Sequence, residues 1–560
     1  MEQTLLDMRY GAESLVDISQ LHDLDDKNSC SVLHTEVGRA YTDQLVTMIK
    51  KGFVAGPFLE SPVENLRINS LFAVNQADKY RPILNLSKPE GNSYNEAIIP
   101  HKIRKVSMST PRQVADTIYK MGRNSVLSKV DHVSAYKQVP VHPDHYFLQG
   151  FRWLGMLFIE VRLIFGSISS VPKYDNFHDM FSDLVRIKSN TDVQTLHRTL
   201  DDQIHINSSI EASESFVNTY LEMAKRINLP LADTNGKDKA FLYRTEGTVL
   251  GVYFDTKAMT WTYNDQKRLT HMKIIQDVII SPSVTLEQFQ KVAGVINTLV
   301  LLCPQLKYFR TPIIEQLSEA YGSSPQVLSA SSETTLHFWL HVFHDLQFGF
   351  PIPKTMPHPP LKAITFITDA AGLSDPDHPP SFDVGVGAVG YNQPYQDIFY
   401  VGQALWPPVF VCSTDIRRKL FGRKTTLLEA IGLLLPIFHN YQQIQNHHVI
   451  LLVDNLPTVW AYKKGRSKSD VYTSVIISAL QFLVISLECK LYVHHCPRLS
   501  SKPAVMADLL TRTDPKGLQL VQKWHSRITT GWPKSLISWF HNPTEDWNLG
   551  PKLLQDLGFN

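Results

Sequence analysis

The chain has 560 residues, of which 43% are hydrophobic and 10% aromatic, and its formal net charge is only +2. This composition is typical of folded globular proteins and excludes a wholly disordered chain. A chain of this length is expected to hold about two to four domains, each with its own core. Because the overall field is weak, any nucleic-acid-binding surface must come from local basic patches.

The cysteines and the N-terminal segment indicate the cellular compartment in which the protein is expected. The five cysteines are scattered without a C-x-x-C pair, which supports neither a zinc module nor a disulfide framework. The first residues lack the basic and apolar regions of a signal peptide, and apolar runs such as 431–438 and 449–453 are too short to span a membrane. We therefore expect a protein of the cytoplasm, the nucleus or both, not secreted and without a membrane partner.

Residues 1–69 read as an N-terminal extension that carries a helical pattern at 37–51 but no recognisable chemistry. After it, strand-like runs predict a β-hairpin that carries Arg81 on its second strand. A guanidinium there could hold the triphosphate of an incoming nucleotide through paired hydrogen bonds. On this segment alone, an edge-strand arginine that faces solvent explains the pattern equally well.

A first carboxylate, Asp131, ends a strand-like run, and Tyr136 follows five residues later. An aromatic ring at that position can lie under a nucleotide sugar and leave no room for a 2′-hydroxyl. Taken alone, Tyr136 is explained more simply as a core aromatic residue. Further along, Phe165 and Gly166 join a strand to a helix, and the glycine allows another backbone or a base to approach closely.

Two adjacent aspartates, Asp201 and Asp202, lie between Leu200 and an alternation of apolar and polar residues. The pattern predicts a β-hairpin with the acidic pair at its tip. An isolated Asp-Asp pair is most often an ordinary exposed turn. Neighbouring carboxylates repel each other, however, and two Mg²⁺ ions roughly 3.5–4 Å apart would remove the repulsion and assist an in-line displacement by a 3′-hydroxyl.

The region 266–349 reads as helical. A helix that opens at Leu286 carries a wide apolar face, which suits a core helix and equally a polymerase thumb that packs through that face. The proline-rich segment 350–360 cannot continue a helix or a central strand, so we predict a domain linker there.

A second set of carboxylates follows the proline-rich segment. Asp369 ends a strand-like run, Glu429 lies in an apolar helix, Asp454 follows a buried strand, and Asp508 opens or lies within a late helix. Four such groups could converge on two metal ions that activate a water against a phosphodiester. Three of them also have a plainer alternative, since Glu429 could complete a capping box, Asp454 could belong to a turn, and Asp508 could be a first-turn helix carboxylate.

Five segments between residues 70 and 265 resemble, in their order, the fingers and palm of retroelement reverse transcriptases. They are Lys-Tyr-Arg-Pro-Ile-Leu-Asn-Leu (79–86), Ser-Lys-Val-Asp-His-Val-Ser-Ala-Tyr (128–136), Phe-Gly-Ser-Ile-Ser-Ser-Val-Pro (165–172), Leu-Asp-Asp (200–202) and Val-Leu-Gly-Val-Tyr-Phe-Asp (249–255). The chain departs from the family pattern at Thr199, where the family usually has Tyr, and at Ile164, where it usually has Pro.

This resemblance implies a right-hand polymerase with fingers, palm and thumb. It implies that Asp131, Asp201 and Asp202 are catalytic metal ligands. It further implies a nucleotide site in which Tyr136 is the sugar gate and Arg81 a triphosphate contact, with Phe165 and Gly166 in the pocket.

Residues 361–515 resemble a ribonuclease H domain of the retroelement type, which implies that Asp369, Glu429, Asp454 and Asp508 are catalytic metal ligands. The segment after Asp454 looks most like the DIRS-like group or related LTR-type retrotransposons. Four basic residues there could hold the phosphates of an RNA–DNA hybrid, although charge runs are usually solvated faces. They are Lys463, Lys464, Arg466 and Lys468.

We therefore expect an α/β (α+β) protein that is an RNA- and DNA-templated DNA polymerase with a ribonuclease H, each site using two Mg²⁺ or Mn²⁺ ions. Its expected partners are an RNA template, a DNA primer, RNA–DNA hybrid and dNTPs. The alternative is a domesticated, catalytically impaired nucleic-acid-binding protein. The expected domains are the extension 1–69, fingers and palm 70–265, thumb or connection helices 266–349, linker 350–360, ribonuclease H-like domain 361–515 and tail 516–560.

Overall fold

The structure is a computed structural model that divides into two compact units. Unit 1 comprises Met1–Trp261 with Pro351–Lys354, and unit 2 comprises Thr262–Phe350 with Thr355–Asn560. Described residues are 2–22, 24, 36–76, 79–234, 239–352, 363–372, 384–392, 397–408, 413, 425–468, 470–498, 500–512, 515–543 and 547–559. Most of the predicted linker, residues 353–360, lies outside these ranges.

Helices account for much of the described chain. They are α1 (Glu2–Tyr10), α2 (Glu36–Lys50), α3 (Pro111–Met121), α4 (Ser170–Ser189), α5 (Ile210–Arg226), α6 (Asp265–Ile279), α7 (Leu286–Leu302), α8 (Thr311–Ala320), α9 (Ala330–Asp345), α10 (Thr425–His439), α11 (Tyr441–Ile444), α12 (Leu456–Lys464), α13 (Val471–Ser486), α14 (Lys502–Leu510), α15 (Pro515–Trp524), α16 (Lys534–His541) and α17 (Leu549–Asp556).

Strands are distributed over both units. They are β1 (Val54–Phe58), β2 (Ser70–Gln76), β3 (Lys79–Asn85), β4 (Val126–Asp131), β5 (Gly150–Trp153), β6 (Met156–Glu160), β7 (Leu196–Thr199), β8 (Asp202–Asn207), β9 (Phe241–Arg244), β10 (Glu246–Val249), β11 (Val252–Asp255), β12 (Thr260–Thr262), β13 (Phe350–Pro351), β14 (Ile364–Ala370), β15 (Gly385–Asn392), β16 (Asp397–Leu405), β17 (His448–Val453), β18 (Lys490–His495) and β19 (Thr529–Thr530).

A four-stranded antiparallel sheet in the order β7-β8-β4-β9 is the platform of unit 1. Helices α4 and α5 pack together against it and bury an aromatic core, because their apolar side chains recur on one helical face. Short strands form a separate three-stranded sheet, β1-β6-β5, and the hairpin β2-β3. The two predicted hairpins, one carrying Arg81 and one around the Asp201–Asp202 pair, are both present.

A six-stranded mixed sheet in the order β18-β17-β14-β15-β16-β19 is the core of unit 2. Strands β14, β17 and β18 run parallel, and β15 pairs antiparallel with both β14 and β16. Helices α10 and α13 bury one face and α14 covers the other. Strands covered on both faces become nearly continuous apolar runs, as β14 and β17 are. The predicted fold class, a protein of mixed α and β structure, is confirmed.

Capping boxes stabilise the starts of two helices. Thr110 and Gln113 form a reciprocal capping box at the start of α3, and Thr285 and Gln288 do the same for α7. Within unit 2, α6 to α9 pack against one another around fully buried residues such as Trp339.

Among the described residues, no helix combines the length and the apolar character that a bilayer span requires.

Candidate active sites

The acidic site of unit 1 lies where β4 meets the β7-β8 hairpin. Asp131, the last residue of β4, is directly opposite Asp202 in the antiparallel register. The backbone N–H of His132 donates to the carbonyl of Asp201 at 2.9 Å. The structure therefore brings the three predicted carboxylates to one corner of the sheet, because antiparallel pairing sets opposite residues side by side.

Asp202 differs from the prediction. The sequence pattern puts both aspartates at the hairpin tip, but only Asp201 lies in the turn, while Asp202 is the first residue of β8. There its carboxylate lies 3.4 Å from the ammonium of Lys129, because alternate residues of β4 share the face that Asp202 occupies. The tip prediction is thus wrong for Asp202, which has a cation partner on its own sheet.

Burial sets the electrostatics of this corner. Burial raises the pKa of Asp202 to about 6, with Lys129 opposing the shift and Asp201 and Asp131 adding to it. The pKa of Asp131 is also raised, first by burial and then by repulsion from Asp201. Carboxylates that gather in a partly desolvated corner are disfavoured as anions until a cation joins them.

A cavity of about 770 Å³ opens onto this corner. Asp131 and Asp201 line it and Asp202 does not. Among the described residues, the three aspartates do not form a cluster whose ligand atoms all lie within 4.8 Å of one another. In the conformation described, the residues that could hold a cation beside the cavity are therefore Asp131 and Asp201, with Asp202 turned toward Lys129.

The predicted nucleotide-site residues Tyr136 and Phe165 line the same cavity. Their rings meet edge to face with centroids 4.9 Å apart, and Tyr136 also packs edge-on against Tyr174. Tyr136 is 9% exposed, so it is both a core residue and part of the cavity wall. The two explanations of this side chain are compatible.

Gly166 and Arg81 complete the predicted set. Gly166 has φ +101°, and a Cβ there would lie 2.8 Å from the carbonyl oxygen of Leu84 on β3. Close approach of another backbone, the reason given for this glycine, is thus present in the structure. Arg81 is on β3 opposite Val74, and its side chain is outside the described part of the chain.

Two features of unit 1 escaped the sequence analysis. The first is an ion pair at 2.5 Å between Lys137 and Glu160, both about nine-tenths buried, in the wall of the cavity. No local pattern links them, because Lys137 follows Tyr136 in a short 3₁₀ helix and Glu160 ends β6.

The second feature is a buried chain of polar rings directly beneath the acidic corner. The ring of His132 contacts the hydroxyl of Tyr174 through Nδ1 and that of Tyr220 through Nε2, the latter at 2.6 Å. The Tyr220 hydroxyl also lies 3.2 Å from Nε2 of His178, whose Nδ1 is 2.5 Å from the carbonyl oxygen of Leu200. Burial lowers the pKa of His132 to about 3 and that of His178 well below its ordinary value.

The acidic site of unit 2 is built on the mixed sheet. Asp369 lies near the end of β14, and Asp454 directly follows β17, its parallel neighbour, so the two strands deliver both carboxylates to one edge. Glu429 reaches the same edge from α10. One ligand atom from each of these three residues lies within 4.8 Å of the others.

Glu429 is 5% exposed, and its contacts exclude the capping-box alternative. Its Oε1 accepts a hydrogen bond from the backbone N–H of Ala370 at 3.4 Å, in β14. Its Oε2 is buried without a hydrogen-bond partner among the described residues. An unsatisfied buried carboxylate oxygen beside two other carboxylates fits a divalent cation, which would supply the missing partner.

Burial and repulsion raise the pKa values of this site. The pKa of Glu429 is raised well above its ordinary value, first by burial and then by Asp369 and Asp454. Burial raises the pKa of Asp369 to about 6, with Arg498 opposing the shift. In the absence of a cation, the folded protein thus holds protons here that a metal ion would displace.

Asp508 lies in the last turn of α14, so both the first-turn alternative and the idea that it opens the helix are wrong. A carboxylate at a helix C-terminus opposes the helix dipole. Arg498 compensates, because its Nε donates to Asp508 at 3.0 Å and its Nη2 donates to Asp369 at 3.3 Å. Sequence reasoning missed Arg498, which no local motif marks.

The neighbour of Asp454 shows that the Asp454 side chain does not serve the local turn. Asn455 caps α12 by accepting from the backbone N–H of Thr458, which leaves the Asp454 side chain facing the acidic site. His495 contacts the backbone carbonyl of Asp454 at 3.1 Å through Nε2.

The predicted basic residues extend from the C-terminal end of α12. Lys463, Lys464 and Lys468 are exposed and Arg466 is half-buried. The ammonium groups of Lys463 and Lys464 lie 5.6 and 5.7 Å from the ring centroid of Trp460, which is itself 52% exposed. Cations over an exposed indole ring make a surface that suits nucleic-acid phosphates and bases.

Many solved structures resemble this chain. Three of them are the foamy viral protease-reverse transcriptase dRH with double-stranded DNA (12% identity, TM-score 0.47, 86% of this chain and 72% of that chain), the foamy viral protease-reverse transcriptase with double-stranded DNA (14%, 0.46, 86% and 86%) and the latter protein with RNA/DNA hybrid (11%, 0.48, 87% and 57%). Identities this low concern the fold alone. No family model matches the sequence, and no curated protein does.

Proposed function

We propose that this chain is an RNA-directed DNA polymerase with ribonuclease H activity, from a DIRS-like or related LTR-type retroelement. The observation that carries the proposal is the buried Asp369–Glu429–Asp454 cluster, whose ligand atoms converge within 4.8 Å on a mixed α/β sheet. A nucleic-acid substrate fits the exposed cations and indole ring on α12, the helix that follows Asp454. The proposed enzyme has the domain bounds that the sequence predicts.

In the proposed nuclease, Asp369, Glu429, Asp454 and Asp508 would hold two Mg²⁺ or Mn²⁺ ions, which supply an activated water and charge stabilisation for phosphodiester hydrolysis. Glu429 fixes the inner wall of the site through its bond to β14. Arg498 holds Asp369 and Asp508 together and can donate to a phosphate oxygen once those carboxylates have a cation. Lys463, Lys464, Arg466 and Lys468 would contact hybrid phosphates.

In the proposed polymerase, Asp131 and Asp201 would hold Mg²⁺ at the cavity wall, with Asp202 as a further ligand when it leaves Lys129. The primer 3′-hydroxyl would be oriented by these carboxylates for attack on the dNTP. Tyr136 would exclude a 2′-hydroxyl by occupying the space beneath the sugar, and Phe165 supports the Tyr136 ring. Arg81 and Gly166 would complete the nucleotide site. Such an enzyme acts on RNA and DNA in the cytoplasm or nucleus, or within a retroelement particle.

A second candidate is favoured by one observation, the pairing of Asp202 with Lys129. A polymerase site in which one carboxylate is held by a lysine is compatible with a protein that binds nucleic acid but turns over poorly. The departures at Thr199 and Ile164 are compatible with the same outcome.

Primer extension separates these candidates. Wild-type protein and Asp131→Asn are compared on an RNA template with a labelled DNA primer, dNTPs and Mg²⁺, and hybrid binding is measured in parallel. Extension by the wild type alone supports the polymerase. Hybrid binding by both proteins without extension by either supports the second candidate. Cleavage of labelled hybrid RNA by the wild type and not by Asp454→Asn supports the nuclease.

A further inference from the structure

The hydrogen-bonded rings beneath the acidic corner of unit 1 have only one consistent arrangement of protons. The carbonyl oxygen of Leu200 can only accept, so Nδ1 of His178 must carry the hydrogen of that bond. A buried imidazole without a carboxylate partner stays neutral, so Nε2 of His178 is an acceptor and the hydroxyl of Tyr220 donates to it.

The same reasoning fixes the remaining members. The Tyr220 oxygen, having given its hydrogen to His178, accepts from Nε2–H of His132. Nδ1 of His132 is then an acceptor and receives the hydroxyl hydrogen of Tyr174. Donation thus runs in one direction, from Tyr174 through His132, Tyr220 and His178 to the Leu200 carbonyl.

This series of hydrogen bonds ends at the hairpin turn on one side and at the cavity wall on the other. Leu200 is in the hairpin turn, with φ +45°, a backbone conformation that a leucine adopts only when its surroundings hold it there. It directly precedes Asp201, whose own carbonyl accepts from the backbone of His132. At the other end, the ring of Tyr174 packs edge-on against Tyr136 in the cavity wall.

We propose that His132, Tyr174, Tyr220 and His178 are positioning residues that hold the Leu200–Asp201 turn in place relative to Asp131, with the donation from His178 to the Leu200 carbonyl as the decisive bond. In this proposal their side chains act on the acidic corner through the turn. This inference rests on the proposed polymerase function of the same corner.

His178 allows a matched pair of variants. In His178→Asn, the side-chain amide nitrogen takes the place of Nδ1 and can still donate to Leu200. In His178→Gln, the amide group takes the place of Nε2, so the bond to Leu200 is lost and contact with Tyr220 is kept. Both variants remove the ring, so both lose similar packing. Tyr220→Phe interrupts the chain at its centre, and Tyr263→Phe, which removes a buried tyrosine hydroxyl bonded to Thr298 elsewhere, is its control.

The test measures kcat and KM for dNTP in primer extension and hydrogen exchange of residues 196–207, all on the full chain. We expect His178→Gln and Tyr220→Phe to lower kcat at least tenfold with little change in KM and to speed exchange of the hairpin. His178→Asn and Tyr263→Phe should stay within threefold of wild type. Equal losses in both His178 variants, or hairpin exchange that does not distinguish them, would overturn the proposal. If the wild type extends no primer, the proposed polymerase fails, and hydrogen exchange alone still decides the positioning role.

Discussion

Gly387 and Ala507 approach so closely that a Cβ at position 387 would lie 2.1 Å from the Ala507 carbonyl oxygen. Gly387 is directly opposite Asp369 in the pairing of β14 with β15. Because Gly387 has no side chain, α14 can lie against the sheet beside Asp369. The contact is made by Ala507, the residue that directly precedes Asp508. Close packing of backbone on backbone is what brings Asp508 toward the acidic site of unit 2.

Gly387→Ala should destabilise unit 2 by about 1–3 kcal/mol, because the added methyl group overpacks a rigid contact. It should also lower hybrid cleavage more than primer extension. The measurement is chemical denaturation together with both activity assays. Gly432→Ala is the control, because a Cβ at position 432 would have its nearest neighbour at 3.4 Å. This position lies inside α10, where alanine is favoured over glycine. Equal stability of the two variants would contradict this packing account.

Glu429→Gln should stabilise the metal-free protein at neutral pH, because burial, Asp369 and Asp454 oppose ionisation of Glu429 in the folded state and a neutral amide does not bear that cost. The same change should abolish the rise in melting temperature that Mg²⁺ gives the wild type. Thermal melts with and without Mg²⁺ measure both effects, and Glu333→Gln, an exposed glutamate of α9, is the control. A Glu429→Gln variant that melts below the wild type without metal would be inconsistent with the repulsion described.

The pH dependence of stability follows from the raised pKa of Asp369, about 6 against an ordinary value of 3.8. The folded state holds the proton of Asp369 more tightly than the unfolded state does. The stability that the protonated Asp369 gives the folded protein is therefore complete below about pH 4 and is lost as pH rises through about 6. Mg²⁺ binding has the opposite dependence, because the cation needs the deprotonated carboxylate. In Asp369→Asn, the slope of unfolding free energy between pH 4 and 6 should be less negative, by up to about 1.4 kcal/mol per pH unit. An unchanged slope would argue against this assignment.

Arg498→Ala should tighten Mg²⁺ binding roughly fivefold, since it removes a positive charge that competes with the cation for Asp369 and Asp508. Calorimetric titration with Mg²⁺ measures the change directly. Arg512→Ala, an exposed arginine just after α14, should leave binding unaltered. Weaker Mg²⁺ binding in Arg498→Ala would mean that the guanidinium organises the site for the cation instead of competing with it.

Asp201→Asn should reduce primer extension more than Asp202→Asn, because Asp201 lines the cavity and Asp202 is paired with Lys129. The single-turnover rate of nucleotide addition is the quantity to compare. Lys129→Met tests the pairing from the other side and should raise the pKa of Asp202 further, because Lys129 opposes the upward shift that burial causes. Equal losses in both aspartate variants would show that Asp202 leaves Lys129 during turnover.

Much of the fold could be predicted because local chemistry marks it. Capping boxes at Thr110 and Thr285 mark the starts of two helices. The apolar runs around 364–370 and 448–453 mark strands that are covered on both faces. The carboxylates that end such strands could be found in the same way. What the sequence does not carry is long-range pairing: Lys129 with Asp202, or Arg498 with Asp369 across 129 residues, depends on sheet register and helix placement.

The polymerase and nuclease assignments can be tested against each other in one reaction. A labelled DNA primer on a separately labelled RNA template is incubated with dNTPs and Mg²⁺, using wild type, Asp131→Asn and Glu429→Gln. We predict that the wild type extends the primer and cuts the template, that Asp131→Asn only cuts a preformed hybrid, and that Glu429→Gln only extends. Extension by Asp131→Asn, or a wild type that binds the hybrid and does neither reaction, would contradict the account.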